Sequence, residues 1–149
     1  MKPRKVTAAY LDKAPALPAP APLVVFDGVC VLCSRYVQWV IARDSGRRFW
    51  FTPAQGPLGQ LLYRELKLDA VEFETNLLIV DGKAYGKLEA FIEIAGRLGG
   101  VWGAAKILRL LPSGLRDLLY DIIAANRYRV FGKREVCWMP SPRAADRVV

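Results

Sequence analysis

The run Leu23-Val24-Val25-Phe26 is continuously apolar and stops at Asp27-Gly28, as a short strand buried on both faces does. From Cys33 the period changes. Cys33, Tyr36, Val37, Val40 and Ile41 fall at i, i+3, i+4, i+7 and i+8, one stripe of a helix, with Ser34, Arg35, Gln38 and Arg43 on its other face and Ser45-Gly46 closing it. Residues 47–52 (RRFWFT) alternate as a strand ended by Thr52-Pro53, and 58–68 (LGQLLYRELKL) read as a short amphipathic helix. Residues 76–80 (NLLIV) form a second apolar strand, and Asp81-Gly82 is the two-residue signal of a tight hairpin. Beyond it Leu88, Phe91, Ile92 and Ala95 are helical again. After a break at Pro112-Ser113-Gly114, with Ser113 the expected N-cap, Leu115, Leu118, Leu119, Ile122 and Ile123 make a last stripe that Gly132 ends. Residues 137–142 (CWMPSP) carry two prolines and read as tail or surface loop.

The predicted order is β-α-β-α-β-β-α followed by further helix. A parallel βαβ half joined to an antiparallel hairpin and a helix is the thioredoxin-like arrangement, an α/β mixed sheet flanked by helices. Other α/β layouts share this order. The 149 residues have room for one domain. It divides into a Pro/Ala-rich flexible segment over 1–22, a core over 23–98, and a basic helical extension over 99–149 packed on the same domain.

Hydrophobic residues at 53% and charged residues at 24% exclude wholesale disorder. Lys or Arg breaks every long apolar run well short of the ~20 residues that span a bilayer, so no membrane span is expected. The basic N-terminus lacks the apolar centre of a signal peptide, because Asp12, Lys13 and several prolines interrupt it. A cytoplasmic address is the default that follows. There, three cysteines do not make a disulfide framework, and a close pair is catalytic or metal-binding. The net charge of +8 is uneven: +3 over 1–20, −1 over 21–96 and +6 over 97–149. A basic C-terminal third suits nucleic acid, acidic partners or an anionic membrane surface, or simply keeps a helical face solvated. The aromatic-and-basic strand pattern of common RNA-binding modules is missing, so no nucleic-acid partner is expected.

Candidate chemistry gathers at Asp27-Gly28-Val29-Cys30-Val31-Leu32-Cys33. An apolar strand ending in Asp resembles the haloacid dehalogenase pattern, but the second acidic residue that pattern needs is here Val29. A structural zinc site needs four ligands. Cys30 and Cys33 make half of one and Cys137 a third ligand, and the chain has no histidine. Two cysteines also pack well as small hydrophobes, Cys33 better than Cys30. A redox dithiol uses every local feature. Helix-start N–H groups and the dipole favour a Cys30 thiolate, and Cys33, one turn on, is placed to resolve a mixed disulfide. No cofactor beyond this pair is needed. Gly28 leaves room for a partner sulfur. Asp27 accepts the proton that Cys33 loses, or else caps the helix or braces the turn. No Lys or Arg lies within four residues of Cys30, so the helix start must lower its pKa almost alone, to about 6–7.5. Lys133 and Arg134 lie far along the chain from Cys30 and are expected to influence partner choice more than chemistry.

The same seven residues resemble the DGxCxLC signature of the DCC family of thiol-disulfide oxidoreductases, a thioredoxin-like group. The likeness continues through Ala42-Arg43-Asp44, Phe51-Thr52-Pro53-Ala54, Leu78-Ile79-Val80-Asp81-Gly82 and Asp117-Leu118-Leu119-Tyr120-Asp121. It ends in the run Asn126 to Arg134 (NRYRVFGKR) with Cys137 and Pro140, and so covers about residues 23–147. The resemblance implies dithiol/disulfide exchange with protein or small-molecule thiols through Cys30 and Cys33. Two departures follow. Thioredoxins place a cis-proline before the third strand, where aligning residues 75–80 puts Thr75, whose hydroxyl or backbone would line the substrate face. Family members often begin the third helix Arg-Ser-Asp-Ala, where this chain reads Lys87-Leu88-Glu89-Ala90. Losing those capping donors argues against glutathione as the partner. Cys137 is either a third redox thiol or a packing cysteine. A reading from another class is a non-enzymatic binding module whose basic helical end docks an acidic partner.

Overall fold

The computed structural model describes residues 2–7, 12, 21–71, 73 and 75–149. Most of the segment expected to be flexible, including 13–20, lies outside the described residues. Five strands form one mixed sheet: β1 (Arg4–Lys5), β2 (Leu23–Phe26), β3 (Trp50–Pro53), β4 (Leu77–Val80) and β5 (Lys83–Gly86), in spatial order β1-β5-β4-β2-β3. β2 runs parallel to β3, which it reaches through α1 (Val31–Arg43), and antiparallel to β4. α2 (Pro57–Glu65) joins β3 to β4, and α3 (Lys87–Leu98) follows β5. This is the α/β thioredoxin-like arrangement expected from the periodicities. The β4–β5 turn places Asp81 at φ 51° and Gly82 at φ 69°, the doubly positive pair that a twisted two-residue hairpin requires.

Alternation along β2 divides the core in two. Leu23 and Val25 join Leu58, Leu62, Tyr63, Leu77 and Ile79 beneath α2. Val24 and Phe26 join Val37, Val40, Phe51, Leu78, Ala90 and Ile94 beneath α1 and α3. A strand covered on both faces cannot alternate with polar residues, and so residues 23–26 carry none.

Short terminal segments cover part of β5 and of β3. β1, which the sequence pattern does not reveal, pairs antiparallel with β5. At the other edge Val148 pairs with Phe51 of β3, and the Val149 N–H donates to the Phe51 carbonyl at 2.9 Å. A buried ion pair holds that second closure: Arg147 Nη1 donates to Asp44 Oδ2 at 2.8 Å, just past the end of α1.

The C-terminal third is helical as expected, a 3₁₀-type helix over Gly100–Leu110 followed by α4 (Ser113–Phe131), which Gly132 terminates at φ 96°. Three details differ from the sequence reading. Pro112, not Ser113, holds the N-cap position of α4, and no side chain caps it. Ser34, placed by periodicity on the polar face of α1, is fully buried, because its hydroxyl is satisfied by the Cys30 carbonyl at 2.9 Å. The α4 stripe faces outward, with Leu115, Leu118, Leu119, Ile122 and Ile123 each between 41% and 56% exposed. α4 instead buries Ala124 and the charged Arg127. An arginine can enter because a carboxylate waits for it, as described next.

Candidate active site

Cys30 ends the turn after β2 and is the N-cap of α1, with extended backbone at φ −74°, ψ 123°. Its sulfur accepts the Cys33 N–H at 3.4 Å, so a thiolate would take the place that a Ser or Asp oxygen takes in an ordinary cap. The cap is thus Cys30 rather than Asp27. Cys33 sits one turn on, in the first turn of α1, and all three cysteines are free thiols. The Cys33 thiol hydrogen bond to Cys30 lowers the Cys30 pKa most. Burial opposes it, the Cys33 N–H adds to it, Asp27 opposes and Arg127 assists; the result is about 7, within the range expected for a helix start. Cys33 moves the other way. Its hydrogen bond to Cys30 and its burial push its thiol well up, so it holds the proton of the pair.

Asp27, at the end of β2, is 2% exposed and has all its acceptor positions filled. Oδ1 accepts the Val29 N–H at 3.0 Å and Gln55 Nε2 at 2.6 Å. Oδ2 accepts Arg127 Nη2 at 3.3 Å and the Tyr128 hydroxyl. The Val29 bond braces the turn, and Gln55 repeats that support by accepting the Gly28 N–H at 3.0 Å. Burial, then the bond to Asp27, raises the Tyr128 pKa and keeps its hydroxyl a donor. Arg127 is 4% exposed, donates to the Ala124 carbonyl at 2.7 Å and stacks on the Tyr128 ring at 4.2 Å. The helix start therefore does not act on Cys30 almost alone, because the Cys33 thiol lowers its pKa most and the buried Arg127 of α4 adds a smaller share. Gln55, Arg127 and Tyr128 were missed as functional residues. The available signal was Tyr120, Ala124, Arg127 and Tyr128 sharing the side of α4 opposite its apolar stripe, which no rule that sends charge outward would select.

The segment after α4 does not trail away. Gly132 accepts the Val31 N–H at 3.3 Å, Arg134 donates to the Val29 carbonyl at 2.7 Å and Trp138 to the Gly28 carbonyl at 2.8 Å, while Lys133 pairs with Cys30 as an antiparallel bridge. Trp138 adds an edge-on ring contact to Phe26. This strap leaves Cys30 at 0% exposure and Cys33 half-buried. Lys133 and Arg134, far along the chain from Cys30, are nevertheless brought beside it, because backbone pairing sets residue 133 against residue 30. The room at Gly28, expected to receive a partner's sulfur, is filled from within: a β-carbon on residue 28 would lie 2.1 Å from Cys137 Sγ. Burial first, then Asp27, raises the pKa of the Cys137 thiol.

Cys33 opens on a cavity of about 60 Å³ lined also by Asp27, Leu32, Phe73, Asn76, Ile123 and Arg127. Thr75 lies at the approach to β4, half-buried, its carbonyl accepting the Tyr63 hydroxyl. Its neighbour Asn76, rather than Thr75, lines the cavity, held there as its N–H donates to the Tyr120 hydroxyl at 3.1 Å. α3 begins after Gly86 with no side-chain cap, and Glu89 in its first turn is paired with Arg109 and Arg116. Among the described residues no group of three or more Cys, Asp or Glu side chains is placed to hold a metal ion, and no helix is long and apolar enough to cross a membrane.

Comparison with known proteins finds a match over residues 24–133 to the family described as DCC1-like thiol-disulfide oxidoreductase. The chain is 38% identical over 128 residues to the "Uncharacterized protein YuxK" of Bacillus subtilis (strain 168), covering 86% of this chain and 93% of that protein. It is 31% identical over 117 residues to the "DCC family protein At1g52590, chloroplastic" of Arabidopsis thaliana, covering 78% of this chain and 68% of that one. No solved structure gives a significant match.

Proposed function

Because the chain belongs to the DCC1-like thiol-disulfide oxidoreductase family, we propose that Cys30 and Cys33 are the redox pair through which it exchanges a dithiol for a disulfide with protein or small-molecule partners. The observation that carries this reading is the geometry of the pair, in which Cys30 caps α1 and its sulfur accepts the Cys33 N–H at 3.4 Å, an arrangement that lowers the Cys30 pKa and raises that of Cys33. In the reducing direction the Cys30 thiolate attacks one sulfur of the partner's disulfide. That S–S bond breaks, the partner's other sulfur leaves as a thiolate, and a mixed disulfide forms. Cys33 then loses its proton and attacks Cys30. The Cys30–Cys33 disulfide closes, the partner holds two thiols, and two electrons have passed to it. Oxidation of a partner dithiol runs the same steps backward, so the pair needs no further cofactor. Asp27, next to the cavity at Cys33, assists by receiving the Cys33 proton once one of its four hydrogen bonds is given up. Thr75 and Asn76 lie on the substrate side. The chemistry suits a cytoplasmic protein, and the acidic Glu89 in the first turn of α3 favours partners other than glutathione, whose carboxylate it would repel.

One observation favours a second order of events. Cys30 is covered by the strap and Cys33 is not, so either the strap lifts before Cys30 attacks or Cys33 meets the partner first. Trapping separates the two. With a small aromatic disulfide as probe, Cys33→Ser should accumulate a stable mixed disulfide on Cys30, and Cys30→Ser should not. The opposite pattern, read by peptide mapping, reverses the roles. No disulfide between Cys30 and Cys33 in the oxidised wild type refutes the redox pair itself.

A further inference from the structure

The α4 stripe is an apolar face that the fold leaves uncovered, with five of its residues more than 40% exposed. It continues directly into the candidate active site, because Ile123 is both the last residue of the exposed stripe and a wall of the cavity at Cys33. Ile107 and Leu110 of the preceding 3₁₀ helix are also exposed, at 65% and 85%. A contiguous uncovered patch of this kind marks an interaction site. Whatever covers it also covers the approach to Cys33. A second copy or a bilayer seated there would shut the thiol off from its partner. An occupant compatible with exchange is the partner itself.

Charge gives the direction. Past the stripe, Arg129 near the end of α4 and Lys133 and Arg134 on the strap beside Cys30 are exposed and without an ion pair among the described residues. By contrast Arg109 and Arg116, nearer the stripe's start, are neutralised by Glu89 and Glu93. We propose that the stripe and cavity seat an extended polypeptide substrate, apolar residues on one side of its cysteine lying along Leu115–Ile123 and acidic residues on the other side facing Arg129–Arg134. This deepens the thiol-exchange reading and rests on it, naming a protein disulfide with apolar flanks as the substrate class.

The test compares three probes on the full chain: a small uncharged disulfide, a cystine-bridged peptide with Leu and Val before the cysteine and Glu after it, and the same peptide with Ser and Gln in place of Leu and Val. The apolar peptide should exceed the polar one in kcat/KM by at least about tenfold, the effect of burying about one apolar side chain. Leu115→Gln/Leu119→Gln/Ile122→Gln alters only exposed positions outside the cavity. It should bring the two peptides within about twofold while leaving the small disulfide unchanged. Replacing Glu by Lys in the apolar peptide should lower its rate, most at low salt. Equal rates for the two peptides with normal small-disulfide turnover would overturn the docking proposal alone. Loss of small-disulfide turnover in the wild type would overturn the exchange reading beneath it. Sedimentation showing a dimer that the triple variant abolishes, or vesicle binding that it abolishes, would assign the stripe to another occupant and overturn the proposal.

Discussion

Gly28→Ala adds a single methyl group where the strap meets the turn. Its β-carbon would sit 2.1 Å from Cys137 Sγ, 3.2 Å from Gln55 Oε1 and 3.3 Å from the Pro53 β-carbon. The last two contacts need a few tenths of an ångström of adjustment, but the first is far inside van der Waals contact. The Trp138 N–H bond to the Gly28 carbonyl at 2.8 Å fixes the backbone beside Cys137, so the sulfur clears the methyl only by a change of rotamer or by movement of the strap. Overpacking of this kind costs about 1–3 kcal/mol, which for a chain of this size is roughly 2–4 °C in Tm for each kcal/mol. Lifting the strap relieves the contact, and lifting it uncovers Cys30. Gly28→Ala should therefore lose stability and at the same time speed alkylation of Cys30, followed by mass spectrometry at fixed pH. Cys137→Ala in the same chain removes the offending sulfur and should recover most of the lost stability, leaving only the smaller Gln55 and Pro53 contacts. A double-mutant cycle in urea measures that coupling. Additive effects of the two substitutions, or unchanged Cys30 alkylation in a destabilised Gly28→Ala, would refute the placement of Cys137 against the turn and the strap's role as a cover.

Cys33→Ala removes the strongest influence on Cys30 and should raise its pKa from about 7 toward the ordinary 9.0, while Cys33→Ser keeps a donor and should stay lower; thiolate absorbance against pH checks both. Because the folded pKa of Cys30 lies below its unfolded value, the reduced protein should gain stability as pH rises from about 7 to 9 and lose it again as pH falls through 7. Above 9 the raised Cys33 works against the fold, since the unfolded chain ionises there first. Flat urea midpoints from pH 6 to 9 would contradict this. Arg127→Met leaves Asp27 a buried charge without its cation and should cost about 3–5 kcal/mol; a loss below about 1 kcal/mol would show that Gln55, Val29 and Tyr128 hold the carboxylate by themselves.

The thioredoxin-like frame was legible because each element announces itself locally: an unbroken apolar strand at 23–26, an Asp-Gly hairpin, helical stripes at 33–41 and 88–95. The close Cys30–Cys33 pair was legible for the same reason, being confined to one turn. What surrounds it was not. Arg127 reaches Asp27 across 100 residues of chain, and residues 132–138 return to a turn near position 29 through backbone bonds that carry no side-chain signature. The outward stripe of α4 shows the limit of periodicity, which finds an apolar face but not the side of the helix it will lie on. Ser34 shows the same limit in reverse.

The short pairings that cover part of β5 and β3 have a consequence for how the chain tolerates shortening. An open strand edge offers unpaired N–H and carbonyl groups to any neighbouring molecule and invites edge-to-edge aggregation. Here residues 4–5 occupy the outer side of β5, and residues 148–149, moored by Arg147 on Asp44, occupy that of β3. A chain lacking residues 2–7 or 145–149 would keep every residue of the thiol site yet bare one flank of the sheet. Its first symptom should be self-association rather than loss of thiol chemistry.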